Sequence, residues 1–354
     1  MMHYSAGSTG IIHRNPEIPG SYEWWYFDAC PAGAGSDISL TIIAFRGMPM
    51  SPYYLEHKGA LPSEYCGYSI GIYHRGNKIA GALCHISAQE WQLSENPLDI
   101  HCGGLHIQQI DSEAWNLEFS TLPDKGMSIH GKLQFKARAP LSPPYINHSA
   151  NQHYHHHWSL IAPDCTVSGN IEIQEYGSPT LQYTVQARGY HDHNTGLRPL
   201  TQDYYEWYWG RIHLPDNQTL VYYYYPAGEK QQELSLAAFI LPGNNSNEIL
   251  NSLFAQDIQI IPHSVRLTAG GLYCAESLEI YGIFPNGEAF TAIVQHKKRI
   301  EFGPFYYRYI SECQFTYQQK HHYSEQAISE YFNAARLQNP FVHMLIKTPI
   351  LFAE

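Results

Sequence analysis

Leu181-Gln-Tyr-Thr-Val-Gln-Ala187 alternates apolar and polar residues in strict period two, and it runs directly into Gly189-Tyr190-His191-Asp192-His193-Asn194. Period two is the signature of a strand with one buried face, because successive side chains point to opposite sides of a sheet. The same alternation recurs in Leu117-Glu-Phe119, from Met127 to Ala137 and from Gly169 to Tyr176. Ser39-Leu-Thr-Ile-Ile-Ala-Phe45 and Leu220 to Tyr225 are β-branched or aromatic runs of strand length. Turn signals separate such runs. Arg75-Gly76-Asn77 stands between Tyr68–Tyr73 and Lys78–Leu83, Pro215-Asp216-Asn217 precedes Leu220, and Pro285-Asn286-Gly287 divides Ile280–Phe284 from Ala289–Val294. One segment reads as helical. Ser324 could cap it, and Ala327, Ile328, Tyr331, Phe332 and Ala335 fall at helical spacing up to Leu337. Many short strands with frequent turns predict an all-β fold of sandwich or barrel type. In 354 residues two such units in tandem are expected, divided near residue 200 into 1–200 and 201–354.

Composition narrows the function. Charged residues are 15% of the chain and aromatics 14%, with 28 tyrosines. Tyrosine suits half-buried pleated surfaces and aromatic-lined cavities alike. The net charge of −11 argues against a nucleic-acid partner, which needs a basic face. The seven cysteines are odd in number, scattered and without a CxxC, so they read as reduced thiols. Met1 to Pro19 lacks the basic-then-apolar pattern of a signal peptide, and the apolar run Leu236–Leu241 is too short to span a bilayer. A cytoplasmic location is therefore expected. No GxSxG, P-loop or GxGxxG occurs, so serine hydrolysis and nucleotide cofactors find no support.

Three constellations remain. On a strand, Tyr190 and Asp192 share one face and His191 takes the other; an apolar cavity on that face would favour the protonated acid. The rival reading is an Asp–His turn serving the backbone. His153-Tyr-His-His-His157-Trp158 closes a His-rich tract from His148 and admits a metal site, a catalytic His beside a Trp, or a solvated loop. No distant ligand pattern completes the metal reading, and no metal is assigned. Glu23-Trp24-Trp25-Tyr26-Phe27-Asp28 and Trp207-Tyr208-Trp209-Gly210-Arg211 are aromatic boxes that serve a core or line a pocket; alternation sets Trp24 and Tyr26 on one side and Glu23, Trp25 and Phe27 on the other.

Taken in order, Glu23-Trp-Trp-Tyr-Phe-Asp28, Ser51-Pro-Tyr-Tyr54, Trp158-x-x-Ile-Ala-Pro163, Gly189-Tyr-His-Asp-His-Asn194 and Trp207-x-Trp-Gly-Arg211 resemble the carotenoid 1,2-hydratase (hydroxyneurosporene synthase) family. Its lipocalin-like relatives include Diels–Alderase-like cyclases. The match runs from about residue 20 to 225. The resemblance implies two tandem lipocalin-like β-sandwich or barrel domains, the first carrying the acid, and the segment Ser324–Leu337 is expected to be a short C-terminal helix. It implies cofactor-free addition of water to the terminal alkene of an acyclic carotenoid. Carried over residue by residue, Asp192 is the acid, Tyr190 stands beside it, and His156 and Trp158 complete the catalytic set, with His155 or His157 as substitutes for His156. Trp25, Tyr54, Trp207 and Trp209 are the matching candidates for substrate contact. Protonation of a trisubstituted alkene gives a tertiary cation, which the faces of Trp158 and Tyr190 could shelter. Water capture makes a hydratase and internal capture a cyclase. Shape-driven folding of a polyene makes a pericyclic enzyme, and the fold alone makes a carrier of an apolar ligand. A hydrophobic small molecule is the expected partner, with transient contact to a membrane surface.

Overall fold

The computed structural model describes residues 2–6, 17–31, 37–121, 126–138, 145–146, 156–215, 218–228, 233–240, 258–283 and 287–347. The chain divides into two compact units, Met1–Leu200 and Thr201–Glu354. Each is built on one nearly closed, barrel-like sheet.

The first unit begins with β1 (Met2–Ala6), β2 (Tyr22–Pro31), β3 (Ile38–Arg46), β4 (Cys66–His74) and β5 (Asn77–Ile86). It continues with β6 (Trp91–Glu95), β7 (Leu98–Cys102), β8 (Leu105–Asp111), β9 (Ala114–Ser120) and β10 (Met127–Ala137). The short β11 (Tyr145–Ile146) and the long β12 (His156–Glu175) and β13 (Leu181–Gly196) complete it. The strand order is β5-β4-β3-β2-β13-β12-β10-β9-β8-β7-β6, with β1 and β11 paired off this path. Thus β12 and β13 join two meanders. The Arg75-Gly76 turn between β4 and β5 holds both residues at positive φ, 51° and 70°, the backbone that a two-residue hairpin requires.

Alternation sorts the side chains of these strands. Trp25, Phe27, Ile42, Ala44, Trp115, Leu117, Phe135, Val167 and Val185 belong to one hydrophobic core. Along β10 the pattern is buried-in, exposed-out, as period two predicts. By contrast, every residue of β2 from Tyr22 to Cys30 is buried, as is β13 from Ala187 to Gly196. The central part of the sheet is therefore covered on both faces.

The second unit contains β14 (Glu206–His213), β15 (Thr219–Tyr225), β16 (Leu234–Ile240), β17 (Gln259–His263), β18 (Arg266–Leu267) and β19 (Tyr273–Cys274). Its remaining strands are β20 (Ser277–Ile283), β21 (Ala289–Phe302), β22 (Tyr306–Tyr317) and β23 (Lys320–Asn333). Eight of them form the order β16-β15-β14-β23-β22-β21-β20-β17, while β18 and β19 pair separately. Its core joins Tyr208, Ile212, Leu220, Tyr222, Leu278, Phe290, Phe315 and Tyr331. The Pro285-Asn286-Gly287 hairpin is flanked by β20 and β21 with Ile283 opposite Ala289, although residues 284–286 lie outside the described residues. The same holds for Asp216 and Asn217 of the Pro215 turn.

The helix expected over Ser324–Leu337 is instead β23, hydrogen-bonded to β14 on one side and β22 on the other. Ala327 and Tyr331 face the second core, whereas Ile328 and Phe332 are buried outside it. A strand buried on both faces shows apolar pairs that also satisfy helical spacing, and the ladders on either side decide in favour of the strand. Asn333 then caps a 3-10 turn, Ala334–Gln338, by accepting from the Arg336 amide. A short helix that the sequence did not predict there, Pro340–Lys347, follows. All seven cysteines are free thiols. Among the described residues no helix is long and apolar enough to cross a membrane.

Candidate active site

The register of three adjacent strands builds the site. Antiparallel pairing sets Asp28, Tyr26, Trp24 and Tyr22 of β2 opposite Tyr190, Asp192, Asn194 and Gly196 of β13. On the other side of β13, β12 sets Leu160, Trp158 and His156 opposite Asp192, Asn194 and Gly196. Directly paired residues share a face, so all of these side chains lie on the face away from the first core. The register of β12 shifts between Leu160 and Ala162, immediately beside Asp192. A bulge of this kind re-aims neighbouring side chains.

Asp192 is 2% exposed. Its Oδ2 accepts hydrogen bonds from the Tyr190 hydroxyl at 2.7 Å and the Trp158 indole N–H at 2.8 Å. Its Oδ1 accepts from Asn194 Nδ2 at 3.1 Å. The Asn194 carbonyl oxygen lies 3.1 Å from His156 Nε2, and the Tyr22 hydroxyl lies 2.8 Å from His156 Nδ1. Burial pushes the His156 imidazole down to about 3, so it is neutral at physiological pH. A neutral ring has one donor and one acceptor, and the Asn194 oxygen can only accept. The chain is therefore directed: Tyr22 O–H to Nδ1, Nε2–H to Asn194 oxygen, Asn194 N–H to Asp192.

Tyr22 reaches His156 across β13 because the intervening residue is Gly196. A Cβ at that position would stand 2.2 Å from the Tyr22 ring. Trp24 stacks on Tyr22, with centroids 5.3 Å apart, and lies 5.7 Å from His156. Two residues along β2, the Tyr26 hydroxyl donates to Asp28 at 2.8 Å, repeating the Tyr190–Asp192 spacing on the opposite strand.

The structure thus brings Asp192, Tyr190, Trp158 and His156 into one hydrogen-bonded set. His157 alternates to the other face, and His155 lies outside the described residues. His191 faces the core, stacked 3.8 Å over Phe27, and its Nδ1 is 3.0 Å from the Tyr26 carbonyl oxygen. His193 pairs with Glu23 at 2.7 Å on that same core face. The two histidines flanking Asp192 are thereby separated from His156, which removes the basis for a shared metal centre among them.

Trp25 also lies in the core, 5.0 Å from the His193 ring and 6.0 Å from Trp91, rather than on the Asp192 face. Tyr54 is buried on the short helix Pro52–Glu56, and its hydroxyl donates to the Ser21 carbonyl at 2.6 Å. Trp207 and Trp209 belong to the second unit, on β14. Trp207 stacks 4.1 Å from Phe332, and Trp209 lies 6.4 Å from Tyr223. Both alternate with the core residues Tyr208 and Ile212. The residues that sequence reasoning left out are Asn194, Tyr22, Trp24 and Tyr26. Alternation had set Trp24 and Tyr26 on one side of β2; the register that brings that side to Asp192 was the missing information.

Residues 42–249, well over half of the chain, match the family model for carotenoid hydratase CrtC. A hydroxyneurosporene dehydrogenase of Chlorobaculum tepidum is 27% identical over 352 residues, covering 91% of this chain and 85% of that protein. An acyclic carotenoid 1,2-hydratase of Rubrivivax gelatinosus is 28% identical over 238 residues, covering 66% of this chain; the chain spans 55% of that relative's length. The crystal structure of CghA with Sch210972 superposes with a TM-score of 0.61 at 12% identity, covering 89% of each chain, and so shares the fold. The architecture is lipocalin-like throughout. With a match that takes in β12 and β13, the strand that carries Asp192, the chain belongs to the carotenoid hydratase family.

Proposed function

We propose that this protein adds a proton to an alkene of an isoprenoid or polyene-like hydrocarbon, with Asp192 as the general acid, and that water then captures the cation. The observation that carries this reading is one buried carboxyl group, Asp192, held by Tyr190, Trp158 and Asn194 on a sheet face distinct from the core. A simple carrier of oil gains nothing from a buried acid, whose desolvation costs several kcal/mol, on the order of the penalty for any buried ion. The family match and the hydratase among the relatives support the same class of reaction.

The steps balance without a redox partner. The carboxylic proton of Asp192 passes to the less substituted alkene carbon, leaving a tertiary carbocation and a carboxylate. Water attacks the cation, and the proton lost from the oxonium ion returns to the carboxylate. The hydrogen-bonded set suits both charge states. With the carboxylate present, the chain runs from Tyr22 toward Asp192. With the acid protonated on Oδ1, rotation of the Asn194 amide and a tautomer change in His156 reverse every link from Asp192 to Tyr22. His156 therefore tunes Asp192 through Asn194, since both of its ring nitrogens are engaged. Tyr190 and Trp158 spend their polar hydrogens on the acid as well as offering ring faces to the cation.

Isotopes test the reading. An acyclic carotenoid with a terminal trisubstituted alkene is incubated in D2O and in H2-18O. Hydration predicts one deuterium on carbon and one 18O in a tertiary alcohol. Deuterium without 18O indicates cation capture within the substrate, as in a protonation cyclase. A product with neither label refutes acid catalysis and leaves a pericyclic reaction.

A further inference from the structure

Away from Asp192, the hairpin β7–β8 carries a second cluster, in the stretch Asp99-Ile-His101-Cys-Gly-Gly-Leu-His106. A two-residue turn, Gly103-Gly104, places His101 opposite His106 and Asp99 opposite Gln108. These are the non-hydrogen-bonded pairs of the hairpin, in which facing side chains approach most closely. Leu98, Ile100 and Cys102 point inward to the core, as do Leu105 and Ile107, so the polar block is fixed on the outer face. Asp99 Oδ1 lies 3.0 Å from His106 Nε2 and 3.2 Å from His101 Nε2. The two imidazoles stack with centroids 3.9 Å apart and an interplanar angle of 15°. Gln108 Nε2 sits 3.4 Å from the other carboxylate oxygen, leaving Oδ1 to both histidines.

A single hydrogen bond would engage one histidine. Here two imidazole nitrogens converge on one oxygen, and the three atoms lie within 4.8 Å of one another. Zinc binds His nitrogen and carboxylate oxygen at about 2.0–2.2 Å, so neighbouring ligands on the ion stand roughly 3.0–3.5 Å apart. The two nitrogen–oxygen separations already match that spacing. Among the described residues this is the only His, Cys, Asp and Glu group so placed.

We propose that Asp99, His101 and His106 bind a divalent transition-metal ion of the zinc type. The side chain of His101 is 51% exposed and those of Asp99 and His106 are 30% exposed, so water can complete the coordination. Glu118 stands opposite His106 on β9 and is paired with Lys132, while Gln92 and Ser94 of β6 stand opposite His101 and Asp99. The ion clasps β7 to β8 beside the edge strand β6. In the sheet these strands lie four and five places from β13, and the proposed alkene chemistry does not require the ion.

The test uses the full chain without an affinity tag, stripped with chelator and titrated with Zn2+ by calorimetry and with Co2+ by visible absorption. The chain holds 21 histidines, so the readout is the difference from the His101→Ala/His106→Ala variant. The expected result is one equivalent lost in that variant, and binding at least about tenfold weaker in Asp99→Asn. His106→Gln, which keeps a hydrogen-bond partner for Asp99, should lose the same equivalent while circular dichroism stays unchanged. Binding in the double variant with the wild-type stoichiometry and affinity would overturn the proposal. So would a wild-type protein that binds neither ion.

Discussion

Replacing Asp192 by Asn separates acid catalysis from every other role of the site, and the hydrogen-bond chain predicts its consequences in detail. The Asn side chain is nearly isosteric. Its carbonyl oxygen takes the place of Oδ2 and keeps the Tyr190 and Trp158 donors. Its amide N–H then faces Asn194, whose own amide must turn to offer oxygen, so His156 becomes the acceptor at Nε2 and donates from Nδ1 to Tyr22. The two bonds on Oδ2 change from charge-assisted to neutral, a loss of about 1 kcal/mol each. Removing the buried charge offsets that loss. The variant should therefore fold, with a stability change within about 2 kcal/mol, and should bind substrate as the parent does. General acid catalysis contributes about 10²–10⁴-fold, so turnover should fall by that factor. The assay pairs hydration rate and binding titration with 15N NMR of labelled histidine. Wild-type His156 should carry its proton on Nε2 while Asp192 is ionised and on Nδ1 while it is protonated, whereas the variant should carry it on Nδ1 at every pH. Undiminished turnover would refute Asp192 as the acid, and a variant whose His156 keeps its proton on Nε2 would refute the directed chain.

Gly196→Ala should push the Tyr22 ring off His156, lowering turnover and costing about 1–3 kcal/mol of stability as an overpacked core does; unaltered urea unfolding would contradict the close approach. Burial holds His156 and His191 near 3 and His296 near 4, below the value of about 6.5 that an unfolded histidine takes. In that window the unfolded chain binds more protons, so stability falls as the pH drops below about 6.5 and the loss is complete near the folded values. Between pH 7 and pH 5 each histidine should cost about 2 kcal/mol, and an equal or higher denaturant midpoint at pH 5 would contradict this. Asp164 holds Arg188 with contacts at 3.2 and 2.7 Å beside the β12 bulge. Arg188→Met leaves a buried carboxylate without its fork and should cost about 3 kcal/mol, read from chemical denaturation; a loss under about 1 kcal/mol would show the pair to be dispensable.

How far the site could be read from sequence differs from strand to strand. β13 announced itself through Leu181–Ala187, and its alternation placed Tyr190 and Asp192 together, with His191 opposite. β23 did not, because its apolar pairs, Ala327-Ile328 and Tyr331-Phe332, satisfy helical spacing equally well. The ladder to β14, which joins residues more than a hundred positions apart as at Trp209 and Glu330, decided it together with the hairpin ladder to β22. Trp25 illustrates the same limit. A tryptophan in an aromatic box reads alike whether its ring enters the core or the opposite face.

Two levels of information therefore divide this protein. Local alternation and turn chemistry, together with the ordered motifs, determined the all-β architecture, the family and the choice of Asp192 as the candidate acid, because each depends on residues near one another in the chain. Only the tertiary structure decided that Asn194, Tyr22 and Gly196 complete the surroundings of Asp192, and that Asp99, His101 and His106 converge. Those groupings depend on strand register. A slip of one residue would send every side chain of a strand to the opposite face, and long-range hydrogen bonding and packing are what hold the register in place.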